Sequence, residues 1–260
     1  MTTGGSVAPA TRYLRLLRHW AARDFRARYA TSALRAVWAV LQPFFFVAIY
    51  VLIFGVILKQ RGDGVPYLTY LLSGIVMYRI PAAALASSGC LVDSLGVISH
   101  VSFPRSVIPV SQMMGNLPDV AVTSVALVVV ALTQGVTIGR TALLMPVVLL
   151  AANVFATALC IAVSTVQVFV RDLQFVTSFV SMGMFFASPI SYSANQVPAW
   201  MHWLEWVNPI SVFLRALRDV TLRDAWPDGW FWIHFAGACV LLVAAALHLR
   251  AIEHRVVDLG

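Results

Sequence analysis

The stretch WAVLQPFFFVAIYVLIFGVILK, Trp38–Lys59, carries no charge before Lys59, and its reading decides the fold. The uncharged run from Ala36 to Leu58 is about 23 residues, or about 35 Å at 1.5 Å per residue, enough to cross a hydrocarbon core of about 30 Å. A secretory signal has a shorter apolar region with a small-residue cleavage site close behind it, and here the run ends in GVILKQRGDG. It reads as a span that stays in the protein.

Composition extends that reading to the whole chain. With 60% hydrophobic residues, 11% charged and a mean hydropathy of +0.83, the 260 residues are not those of an ordinary soluble domain, in which about a quarter are charged. Six spans are expected, at Ala36–Leu58, Pro66–Cys90, Val107–Thr133, Ala142–Val168, Leu173–Ile190 and Trp230–Leu249. Residues 191–229, between the fifth and sixth, are apolar but broken by Pro198 and Pro209, and read as a re-entrant or interfacial helical pair. Within this stretch Trp200, Trp203, Trp206 and Trp226 suit a membrane–water boundary, as does Trp230 just after it. Asn208-Pro209 predicts a helix start, with Asn as cap and Pro in the first turn. The expected class is therefore an all-α integral membrane protein.

Charge placement orients it. Residues 1–35 form a tail in which Arg12, Arg15, Arg18, Arg23, Arg26, Arg28 and Arg35 precede the first span; residues 250–260 form a second tail with Arg250 and Arg255. Adding Arg105 and Arg171 gives eleven basic residues inside against six outside, with Arg79 left in the second span, which accounts for all 18. The positive-inside rule then puts both termini in the cytoplasm, and the net charge of +7 needs no nucleic acid to explain it. Around residues 12–29, Tyr13, Leu16, Leu17, Trp20 and Ala21 share one helical face and Arg12, Arg15, His19, Arg23 and Arg26 the other, an amphipathic interfacial helix.

Several chemistries are disfavoured. Cys90, Cys160 and Cys239 sit in or beside apolar runs without framework spacing, and none of the six histidines has a metal-ligand spacing. The one lysine, Lys59, follows no glycine-rich turn, so the chain holds no phosphate-cradling P-loop and hydrolyses no ATP by itself. Ser73, Ser164 and Ser178 have no histidine near in sequence and read as backbone-bonded helix serines, which leaves an integral-membrane enzyme as a distant alternative.

Four stretches in order, RDFRARYATSALRAVWAVLQPFFFVAIYVLIFG, VSFPRSVIPVSQMMGNLPD, FVRDLQFV and SPISYSANQVPAWMHWLEWVNPISVFLRALRDV, give a resemblance that covers nearly the whole chain. The chain resembles the membrane subunit of type-2 ATP-binding-cassette exporters of lipid-linked polysaccharide, the O-antigen, teichoic acid and cell-wall galactan group. The resemblance implies a homodimer in the bacterial inner membrane that exports an undecaprenyl-type lipid-linked polymer. A separate P-loop ATPase dimer, which binds the ATP and Mg, would supply power, and this chain would hold no cofactor. A drug or small-lipid exporter of the same superfamily is the alternative.

In that frame residues 93–105 look like the coupling helix that docks on the ATPase, with Asp93, Ser94, His100 and Phe103, then Pro104 ending it and Arg105 reaching an acidic groove. Aromatic rows suit a sugar path, because sugar C–H faces stack on rings without one fixed hydrogen-bond pattern. Phe175, Phe179, Met182 and Phe186 form one row and Phe45, Phe46, Tyr50 and Phe54 another. Pro198, Trp200, Asn208, Pro209, Arg215 and Arg218 would form the re-entrant gate; Arg215 stands where the family commonly has an acid three residues before an Arg, here Arg218, and Arg79 where it commonly has an aromatic residue, two changes that would add positive charge along the route. A lone Arg in a span costs about 2.5–3.5 kcal/mol on insertion scales, so Arg79 is expected to pair with Asp119 at similar depth, inside the bundle or within one subunit dimer, or to meet substrate phosphates.

Overall fold

The computed structural model describes residues 13, 15–23, 45, 47–57, 59–60, 62–98 and 103–253. Among them there is no strand, only an isolated bridge between Gly62 and Val65. The helices are α1 (residues 15–23), α2 (Val47–Ile57, π-helical from Val51), α3 (Tyr67–Ala86), α4 (Cys90–Asp93), α5 (Leu95–Ile98), α6 (Val107–Thr133), α7 (Met145–Gln167), α8 (Leu173–Phe186), α9 (Trp203–Val207), α10 (Pro209–Leu222) and α11 (Gly229–Ala251). Among the described residues four helical stretches are long and apolar enough to cross a membrane: α3, α6, α7 with its leading 3-10 turn from Arg140, and α11.

Burial ranks these four by position. The central window of α3 is 72% buried and that of α11 only 17%, so α3 is the axial helix and α11 lies outside, packed chiefly on α7. Around α3 stand α6, α7, α8 and α10. One end of the bundle, here the proximal end, carries α1, the α3–α6 connection and the α7–α8 turn. The distal end carries the α6–α7 connection and the segment from α8 to α11.

Local chemistry explains where the spans depart from expectation. The second was expected to reach Cys90, and α3 stops at Ala86 because Ser87-Ser88-Gly89 turns the chain: Ser87 N donates to Ala83 O and Ser88 Oγ to Leu85 O. The fifth was expected to reach Ile190, and α8 ends at Phe186 because the residue before Pro189 is disfavoured in the α region. At 14 residues α8 is about 21 Å long, short of a full crossing. Pro146 at the first turn of α7 sets its start, after a 3-10 turn Arg140–Leu144. Asp228 caps α11 by accepting from Phe231 N at 3.0 Å. The third span matches α6 at both ends. Of the first, only positions 45, 47–57 lie inside the described residues.

In α1 the described residues follow the expected wheel. Leu17 is buried, Leu16 and Trp20 pack against the core, and Arg15, Arg18, His19 and Arg23 are exposed. Trp20 lies 5.5 Å from Phe103, and Tyr13 OH is 3.4 Å from Ser106 Oγ, so this helix is clipped onto the start of α6.

At the distal end the α6–α7 connection is pinned by Asp224, whose Oδ1 accepts from Thr141 N at 3.1 Å and from Thr141 Oγ1 at 2.9 Å. These two donations hold the Asp224 carboxyl below its usual range. A depressed carboxyl contributes stability that is present above the ordinary carboxylate range and lost as pH falls through the depressed value. The expected outcome is that the melting temperature of the solubilised protein falls on the acid side and that Asp224→Asn flattens this acid limb. An unchanged limb contradicts the assignment.

Candidate functional site

Residues 187–222 are built around one buried cation. Arg218, 5% exposed, donates to Ser73 Oγ (3.0 Å), Pro189 O (2.9 Å), Ile190 O (3.2 Å) and Tyr70 O (3.3 Å), and lies over the Tyr70 ring with Cζ 3.5 Å from its centroid. The carbonyls reach it because Ile190 presses on α3 at Gly74, where a Cβ would meet Ile190 Cγ2 at 2.7 Å and its carbonyl oxygen at 2.9 Å. Tyr67 OH and Tyr70 OH donate to Ser191 O and Tyr192 O, both at 2.9 Å, fastening the same segment. Arg218's donors serve this chain's own backbone, beside a cavity of only about 60 Å³.

Asn208 Oδ1 accepts from Ile210 N at 3.0 Å and Pro209 opens α10, the start that the Asn-Pro pair predicts. Asn208 Nδ2 also donates to Ser188 Oγ at 2.9 Å, tying the cap to the end of α8. Pro198 is exposed and opens the 3-10 turn Ala199–Met201, and Trp200, Trp203 and Trp206 are exposed on this end. Arg215 stacks over Trp206 at 3.8 Å and pairs with Asp228 at 3.5 Å, so it is half-buried against the root of α11.

The aromatic row on α8 is outward-facing. Phe175, Phe179, Met182 and Phe186 are 62%, 76%, 61% and 50% exposed, so this chain's own core does not pack them. The opposite face holds Phe185, buried edge-on to Tyr50 (5.3 Å) and Tyr78 (5.0 Å), with Tyr78 OH 3.0 Å from Ser181 Oγ. On α2, Tyr50 stacks on Phe54 at 5.5 Å, and Phe45 is exposed. Phe46 lies outside the described residues.

At the proximal end α4 and α5 form a kinked pair, with Asp93 exposed and Ser94 half-buried at the kink. His100 lies outside the described residues. Phe103 is buried under Trp20, and Pro104 is exposed. Arg105 turns inward: its Nη1 donates to Phe103 O at 2.9 Å and its backbone N to Glu253 Oε1 at 3.0 Å, beside a cleft of about 500 Å³ that Arg250 also lines. That orientation departs from the expected reach toward a partner's acidic groove.

Arg79 and Asp119 are both half-buried, and the ion pairs seen among the described residues join Arg215 to Asp228 and Arg223 to Asp63 and Asp219. Depth separates Arg79 from Asp119 within one chain. Thr69 Oγ1 donates to Gln134 Oε1 at 2.7 Å and levels α3 with the end of α6. Below that level Arg79 is 10 residues down and Asp119 is 15, an offset of about 7–8 Å at 1.5 Å per residue. The described residues contain no group of three or more His, Cys, Asp or Glu able to hold a metal ion.

Sequence reasoning passed over Tyr70, Ser73 and the carbonyls of Pro189-Ile190; the glycine at position 74 inside an apolar helix was the signal for a close approach there. The comparisons with known proteins bear on the whole arrangement. An O-antigen export system permease protein RfbA of Klebsiella pneumoniae is 25% identical over 239 residues, 91% of this chain and 92% of its own length. A second protein of that name and species is 22% identical over 239 residues with the same coverage, and one from Myxococcus xanthus is 26% identical over 227 residues, 86% of each chain. The profile described as ABC-2 type transporter matches residues 15–222, from α1 through α10, and the chain therefore belongs to the ABC-2 type transporter family.

Proposed function

We propose that this chain is the membrane subunit of an exporter that moves a lipid-linked polysaccharide of the undecaprenyl type out of the cytoplasm across the bacterial inner membrane. The observation that carries the reading is coverage: relatives named as O-antigen export permeases align over about nine tenths of this chain and of themselves. Family membership makes it a multi-pass membrane subunit of a transporter whose ATP is hydrolysed by a partner. In this proposal residues 36–58 and α8 complete six spans, α9 and α10 form the re-entrant pair, and the proximal end with both termini faces the cytoplasm. Two copies enclose the path, and the exposed row Phe175, Phe179 and Phe186, with Phe45 and Tyr50, supplies its sliding surface. The stretch from Asp93 to Arg105, which takes in the end of α4 and all of α5, is the surface offered to the ATPase dimer, which alone holds ATP and Mg.

Two outcomes follow. The purified chain hydrolyses no ATP, and a P-loop ATPase co-purifies with it. Deleting residues 94–100 abolishes that co-purification and leaves the chain in the membrane fraction. A complex that survives the deletion removes α4–α5 from the docking role.

A further inference from the structure

Between the proximal ends of α3 and α7 and the starts of α4 and α8 lies a cavity of about 310 Å³, bordered by Ser88, Asp93, Gln167, Arg171, Gln174 and Ser178. Its volume is at the lower end of ligand pockets, about 300–1,000 Å³, room for one ring and not for a chain of them. Gln167 is only 4% exposed, yet its Oε1 has no hydrogen-bond partner. A buried amide oxygen left unpaired is costly, and such an exception in a polar cavity points to a donor that arrives from outside. The lining offers one guanidinium, one carboxylate, two amides and three hydroxyls, those of Ser88, Thr177 and Ser178. This set is balanced in charge and mixed in donors and acceptors, which suits a polyhydroxylated neutral ligand better than an anion or a cation.

The cavity also adjoins the proposed path along α8. Gln174 and Ser178, at i and i+4, border the cavity and flank the exposed row Phe175, Phe179, Met182 and Phe186. A sugar leaving the cavity therefore meets hydroxyl and amide groups on one side and rings on the other. We propose that this cavity is the entrance subsite for one monosaccharide unit of the exported polymer, with Gln167 Oε1 accepting a sugar O–H. The inference rests on the proposed function above.

The test uses the whole complex in its native membranes, with p-benzoylphenylalanine placed at position 174 or, separately, at position 179. After illumination, polymer bound to the chain is read by periodate staining and captured protein by mass spectrometry. Both positions are expected to capture polymer, and Gln167→Leu should lower capture at 174 and export by about fivefold or more while the ATPase still co-purifies. Gln167→Glu, which keeps the acceptor oxygen, should retain capture. Polymer at 179 but not at 174 overturns the subsite and leaves the exporter reading standing. Capture of the ATPase subunit at 174 overturns it as well, because the cavity is then a docking surface. Polymer at neither position overturns the exporter reading and the subsite together.

Discussion

Arg218→Ala should remove most folded protein from the membrane, with a loss of about 3–5 kcal/mol. A buried acceptor left unpaired costs about 1–3 kcal/mol, and Arg218 serves more than one. The change would leave the carbonyls of Pro189 and Ile190 without the donor they have here and would empty the face of the Tyr70 ring, while Tyr70 O keeps the Ser73 Oγ donation at 2.6 Å. Arg218→Lys keeps the charge and loses the planar fork that reaches several acceptors together, so it should recover only part of the stability. Thermal unfolding of the solubilised chain, followed by size-exclusion chromatography, measures both variants. A wild-type melting temperature for Arg218→Ala would show that the segment from Ser188 to Tyr192 is held by other contacts.

The triple change Phe175→Ala, Phe179→Ala and Phe186→Ala is expected to abolish polymer export with little loss of stability. Each Phe to Ala change in a packed core costs about 3–5 kcal/mol. These three side chains are at least half exposed, and substitutions at exposed positions stay within about 0.5 kcal/mol each. The variant should therefore accumulate, melt near the wild-type temperature and still bind its ATPase, while polymer remains inside the cell. Normal export by this variant would place the sliding surface elsewhere. A monomeric variant, where the wild type runs as a dimer, would make the row a contact between copies.

Much of this architecture was legible because its signals are local. The ends of Val107–Thr133 are marked by flanking polar residues, the start of α10 by Asn208-Pro209, and the buried face of residues 15–23 by the spacing of Leu16, Leu17 and Trp20. The apolar reading overran at Ile190 because hydropathy does not register that Pro189 halts the helix, nor that the carbonyls of Pro189 and Ile190 are needed elsewhere. The partners of Arg218 could not be read from its surroundings in sequence, since its acceptors lie up to 148 residues away and exist only after α3 and α10 meet. Depth counting for Arg79 and Asp119 assumed level span ends, whereas the Thr69–Gln134 bond sets the actual level within one chain. Gln167 could not be singled out by type or spacing, since its distinction is an unpaired oxygen that only the packed structure defines.

The most direct test of the exporter reading uses inside-out membrane vesicles that contain this chain, its partner ATPase and the lipid-linked polymer. The polymer should begin accessible to an added glycosidase and become protected when ATP is supplied, with no protection when this chain is absent. Polymer that stays equally accessible with ATP, in vesicles where the ATPase is bound and active, would contradict polysaccharide export by this subunit.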